Sequence, residues 1–268
     1  MPTTSEDGDS TARQANSQST IQARVSSGLV SWTGPLLLTV GRSALILASQ
    51  AAVALIYMLH RNPSPWLSAG RWWTVYGTLA DVGCLALLWK FTRAEGTRLR
   101  DLIGPIRWRR GRDVWTGLGI LLLIFPLLIV GGMLSNLLVF GRISALPGPA
   151  GAVHYTLPLW GIIYSLSVWW IIWTPTEQMT YQGYVLPRLC ALTGRSWVAL
   201  VVVGFWWSLQ HSFLPFVPNW RIVIWRFVMI VPGVIGTMLI YLRTRRLAPF
   251  IVAQWPMDII VAVMSTGS

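Results

Sequence analysis

The chain has 268 residues, of which 54% are hydrophobic and 11% charged, with a formal net charge of +12. Soluble domains carry about 25% charged residues, so this composition, with a mean hydropathy of +0.55, excludes an ordinary soluble domain and predicts an all-α polytopic membrane protein. The positive charge is almost wholly arginine, placed in short segments between apolar runs, where it sets topology and meets anionic lipid headgroups; nucleic acid is not an expected partner.

Residues 1–30 are rich in Ser, Thr, Gln and Asp and read as a disordered tail, without the basic start and apolar core of a signal peptide. Residues 31–268 read as a single transmembrane helical domain. Its first span, Pro35 to Leu59, carries Arg42, expected to snorkel to the surface. The second, Trp72 to Trp89, carries Asp81 at mid-depth, where it would pair with an arginine or with backbone. The basic segment from Lys90 to Arg112 is the strongest cytoplasmic signal and is expected to hold a short surface helix. The third span is Val114 to Phe140, kinked at Pro126, and the stretch 141–156 is an outer loop. From Leu157 to the basic segment starting at Arg188 lies more chain than the roughly 20 residues of one crossing. Either one long broken helix or a second, re-entrant helix is expected there, with Pro175 at the break. Spans at Trp197 to His211, Arg221 to Leu242 and Leu247 to Met264 complete seven or eight transmembrane helices. The N-terminus and the basic loops are assigned to the cytoplasm. The seventeen tryptophans fit interfacial belts, as in Trp72-Trp73, Trp169-Trp170 and Trp206-Trp207, and the two cysteines read as packing residues.

Ionisable groups in apolar spans are costly and point to function. Three carboxylates fall in such spans, Asp81, Glu177 and Asp258. Of the three histidines, His60 and His154 belong to loops and only His211 closes an apolar segment. Thr174-Pro175-Thr176-Glu177 matches a helix capping box, with Thr174 as N-cap. Gln178 and Gln182 are four apart, so their amides could bond along the helix, and Gly183 would admit a close neighbour. Trp207 lies one turn before His211. Gln254 and Asp258 are again four apart. Glu177, His211, Gln254 and Asp258 are expected to form a small polar site between transmembrane helices, in which a neutral imidazole beside a carboxylate can orient a water.

Three segments, Glu177-Gln178-x-x-x-Gln182-Gly183, Trp207-x-x-x-His211 and Gln254-x-x-x-Asp258, resemble the motifs of the CPBP family, the CAAX-protease and bacteriocin-processing membrane proteins. The family patterns are Glu-Glu-x-x-x-Arg, Phe-x-x-x-His and His-x-x-x-Asn or Asp. The run 243–249, Arg-Thr-Arg-Arg-Leu-Ala-Pro, resembles the lead-in to the third motif, and Leu102-Ile103-Gly104 resembles a cytoplasmic segment of the family. The resemblance spans about residues 95–264. It implies an intramembrane endopeptidase of the bacterial plasma membrane, acting on a membrane-associated peptide or protein, with no cofactor and no metal. Glu177 would activate water with His211 as partner; Gln254 and Asp258 would hold the oxyanion. The departures lie at Gln178, Gln182, Gln254 and Asp258. Gln254 can still donate through its amide but cannot shuttle a proton, and Asp258 donates only when protonated. The alternative is a catalytically inactive relative acting as a membrane scaffold or immunity-type protein; a small transporter is a third reading. Substrate identity and oligomeric state are left open by the sequence.

Overall fold

The computed structural model describes residues 16–104, 111–143 and 156–266. Chain order gives α1 (Gln18–Ser26), α2 (Thr33–Leu59), α3 (Pro65–Gly70), α4 (Trp73–Ala94), α5 (Leu99–Ile103) and α6 (Arg112–Phe140). There follow α7, one helical run over 159–193, then α8 (Ser196–Gln210), α9 (Trp220–Thr244) and α10 (Ala248–Thr266). No strand occurs among the described residues, and the backbone hydrogen bonds are made mainly within helices, the form a bilayer favours. Helices α2, α6, α9 and α10 are long and apolar enough to cross a membrane; α4, α7 and α8 complete a bundle of seven. The short helix α5 stands where the basic segment was expected to hold one. The outer loop with His154, and Arg107, Arg109 and Arg110 of the basic segment, lie outside the described residues.

The polarity of the bundle is inverted relative to a soluble protein. Leu122 is 75% exposed and Trp115 and Leu159 are each 73% exposed, whereas Arg42, Asp81, Gln182 and Arg188 are fully buried. A surface of that kind is stable against acyl chains and would aggregate in water. The protein is integral to a membrane.

Four expectations are corrected. The tail over 1–30 is ordered in its second half: α1 packs on α7, with Ile21 fully buried and Ser17 accepting from the Thr20 N–H as N-cap. Asn16 donates to the Gly183 carbonyl at 2.9 Å and accepts from Arg188, while Gln18 accepts from Arg245. Two polar anchors and one apolar residue thus hold a segment whose average composition reads as disordered; residues 1–15 lie outside the described residues. Arg42 does not snorkel; it is buried and paired with Asp81 at 2.7 Å. Arg188 is not in a loop. It is buried in α7, and its guanidinium forks onto Glu95, which also accepts from Tyr184. The tryptophan pairs are not simple belts, because Trp73, Trp169 and Trp207 turn inward, with Trp173 and Trp225.

The region 159–193 forms one continuous helical run rather than a broken pair. Pro175 sits inside the helix rather than at its start. Two π-helical turns, Ser165–Trp169 and Met179–Val185, flank the α-helical stretch Trp170–Gln178 that carries it. Each wide turn changes the phase of the residues beyond it, and such turns collect at functional sites. Helices α9 and α10 both lean on α6. The approach of α9 is close because Gly131 lies against the Met229 carbonyl, with no room for a side chain.

Candidate active site

Glu177 is buried at the centre of the bundle, just before the second π-helical turn. Its Oε1 accepts from the Trp207 indole N–H at 2.9 Å and from the Gln210 amide. Its Oε2 accepts from Gln254 Nε2 at 2.5 Å. A carboxylate offers about four lone-pair sites, so one, on Oε2, carries no protein donor in this arrangement.

His211 follows the last turn of α8, a helix of 15 residues. At 1.5 Å per residue α8 is about 22 Å long, shorter than the hydrocarbon core of about 30 Å. His211 Nδ1 is 2.9 Å from the Trp207 carbonyl oxygen. A carbonyl can only accept, so Nδ1 carries the proton, and Nε2 of the neutral ring presents a lone pair. That nitrogen lies 3.7 Å from Glu177 Oε1, and the imidazole is 28% exposed. Trp207, which contacts both groups, is held by stacking on Tyr181 with ring centroids 5.3 Å apart.

Gln254 also accepts from Gln178 Nε2 at 2.6 Å, so α7 and α10 are joined by an amide chain that ends on Glu177. Asp258 accepts from Thr174 Oγ1 at 2.5 Å. The expected capping box is therefore not formed. The helix is continuous through Thr174, which leaves no free N–H for its hydroxyl to cap, and the hydroxyl turns to Asp258 instead. Gln182 does not bond Gln178: the π-helical turn breaks the four-residue register, and the Gln182 amide has no hydrogen-bond partner among the described residues. Gly183 is tightly overlaid, as expected; a Cβ there would stand 2.7 Å from Leu247.

Three residues of this network escaped the sequence reading as site groups. Gln210 takes Arg42 Nε on its oxygen at 2.9 Å, and Arg42 is paired with Asp81. The available signal was a lone arginine and a lone aspartate in adjacent apolar spans, each expensive without the other.

Two cavities meet at the site. One, of about 320 Å³, is lined by Glu177, His211, Gln254 and Asp258 together with apolar groups of α6, α9 and α10, such as Ile124, Met229 and Phe250. The other, of about 340 Å³, runs toward Trp173, Trp225 and Met264. They share His211, Met229, Ile230, Asp258 and Val261. No group of three His, Cys, Asp or Glu side chains placed to hold a metal occurs among the described residues.

No curated protein and no solved structure matches the chain. A family model does: residues 158–260 match the type II CAAX prenyl endopeptidase Rce1-like family. That span contains Glu177, His211, Gln254 and Asp258, and the bundle around it is helical and membrane-embedded. The likeness to the Rce1-like family of type II CAAX prenyl endopeptidases is thus carried by residues 158–260, less than half of the chain.

Proposed function

We propose that the protein is an intramembrane endopeptidase that hydrolyses a membrane-associated peptide or protein through water activated by Glu177 and His211. The observation that carries this reading is the convergence of the Glu177 carboxylate and Nε2 of His211 on one wall of an apolar cavity. A water donating to Glu177 and to Nε2 has its own lone pair turned toward the cavity. Its oxygen adds to a carbonyl carbon held there as Glu177 takes the proton. The scissile C–N bond then breaks as Glu177 returns that proton to the leaving amine. Gln254 uses one N–H on Glu177 and has a second for the oxyanion, with Asp258 in its protonated form as a further donor. The apolar remainder of the cavity takes side chains of a lipid-soluble substrate. The face carrying Arg188, Arg245 and α1 is cytoplasmic by its positive charge, and water enters from that side.

Glu177→Gln, reconstituted in vesicles, abolishes cleavage of a membrane-associated peptide while the helical circular dichroism is kept; unchanged turnover rejects the assignment. One observation favours a second reading, a non-catalytic scaffold. Three donors already engage Glu177, and the amides of Gln178 and Gln254 are bonded to each other. Wild-type protein that cleaves nothing across a peptide library, yet retains a protein partner on purification, selects that reading.

A further inference from the structure

We infer that the buried ion pair Arg42–Asp81, contributed by α2 and α4 outside the family-matched span, sets the direction of the Gln210 amide and so positions Glu177. This rests on the reading of Glu177 as the water-activating base. The two side chains are fully buried, 2.7 Å apart. Arg42 is fixed on three sides: by Asp81, by Gln210 Oε1 at 2.9 Å from Nε, and by the Trp173 ring, whose centroid is 4.2 Å from Cζ. Trp173 stands one turn before Glu177 on α7.

The argument is one of donors and acceptors. A guanidinium has only N–H groups to offer, so a glutamine facing it must turn its oxygen inward. Its NH₂ group then points the other way, onto Glu177 Oε1. Without Arg42 the Gln210 oxygen loses its donor, and the amide is held from the Glu177 side alone, free to shift and swing about that contact. Asp81 keeps the guanidinium in place and neutralises a cation that could not otherwise remain in the bilayer interior. The pair acts through Gln210 and does not touch the cavity, since neither Arg42 nor Asp81 lines it. It is a positioning device.

The double variant Arg42→Met/Asp81→Leu removes both charges at similar volume, a replacement buried pairs commonly tolerate. Losing one oriented hydrogen bond to a charged base is expected to lower kcat about 10- to 100-fold with KM within about twofold. Gln210→Met gives the same loss, and the triple variant loses no more than either. Arg42→Lys keeps a charge for Asp81 but cannot also hold the Gln210 oxygen and stack on Trp173, so it is not rescued. A readout free of turnover accompanies these assays. The chain has three glutamates, Glu6, Glu95 and Glu177. With ¹³C-labelled glutamate, the difference spectrum against Glu177→Gln isolates the Glu177 infrared bands. Those bands move in the double variant and in Gln210→Met by the same amount. A folded double variant with wild-type kcat, or with Glu177 bands unmoved, overturns the inference. An active Glu177→Gln instead overturns the reading of Glu177, whatever the double variant does.

Discussion

Glu177 shows how one carboxylate can be both anchored and available. Indole and amide donors occupy three of its lone-pair sites, and these are the groups that hold it away from the lipid-exposed side of α7. Trp207→Phe tests one of them alone: the ring keeps its stack on Tyr181 and the backbone carbonyl still orients His211, but Oε1 loses a donor. A hydrogen bond to a charged group is worth about 1.5–3 kcal/mol, so kcat should fall at least about tenfold while thermal unfolding in detergent shifts little. At this scale the sequence was readable where polar residues stand in short spacings. Glu177, His211, Gln254 and Asp258 each sit in a local pattern, and all four line one cavity. Arg42 and Asp81 have no such pattern. Their partners are far away in the chain, and only the docking of α2 against α4, α7 and α8 brings them together. Thr174 was misread for a related reason: its capping signature is genuine in isolation, but tertiary contact with Asp258 competes for the hydroxyl.

Among the elements, α7 has the densest set of obligations. Its N-terminal part packs Trp169 and Trp173 against α2 and α4, its middle holds the candidate site, and its C-terminal part forks Arg188 onto Glu95. That last contact is all buried, and breaking one side leaves an unpaired charge, which typically costs about 3–5 kcal/mol. Glu95→Ala should therefore lower the thermal midpoint sharply, and adding Arg188→Leu should restore most of the loss. Four of the helices, α2, α6, α9 and α10, were legible from hydropathy, because each is a long apolar run. The unbroken helix over 159–193 was not, because a proline in an apolar stretch signals a break by local rules. Here the helix absorbs it between wide turns, and packing on both sides keeps the rod continuous.

For the whole molecule, the basic segments and the N-terminal helix gather at one end. Arg245 bonds Gln18 and Arg188 bonds Asn16, so α1 seals the face where α7 ends and α10 begins. Helix α10, of 19 residues, then runs about 28 Å to the other end. Cysteines introduced at Gln22 and Ser265 should label from opposite sides of sealed vesicles with a membrane-impermeant maleimide. Cys84 and Cys190 are buried and give no background; labelling of both sites from one side would contradict this topology. Deleting residues 16–26 would uncover Ile21's pocket, the Gly183 carbonyl and part of the Arg188 fork.

The Arg42–Asp81 pair and Glu95 stand outside the stretch that carries the family likeness, yet three of its side chains, Gln210, Tyr184 and Arg188, bond to them. The unit of inheritance is accordingly smaller than the unit of folding. A fragment excised at residues 158 and 260 would present a stranded guanidinium and an orphaned amide to acyl chains, and no detergent supplies the acid and the guanidinium they have lost.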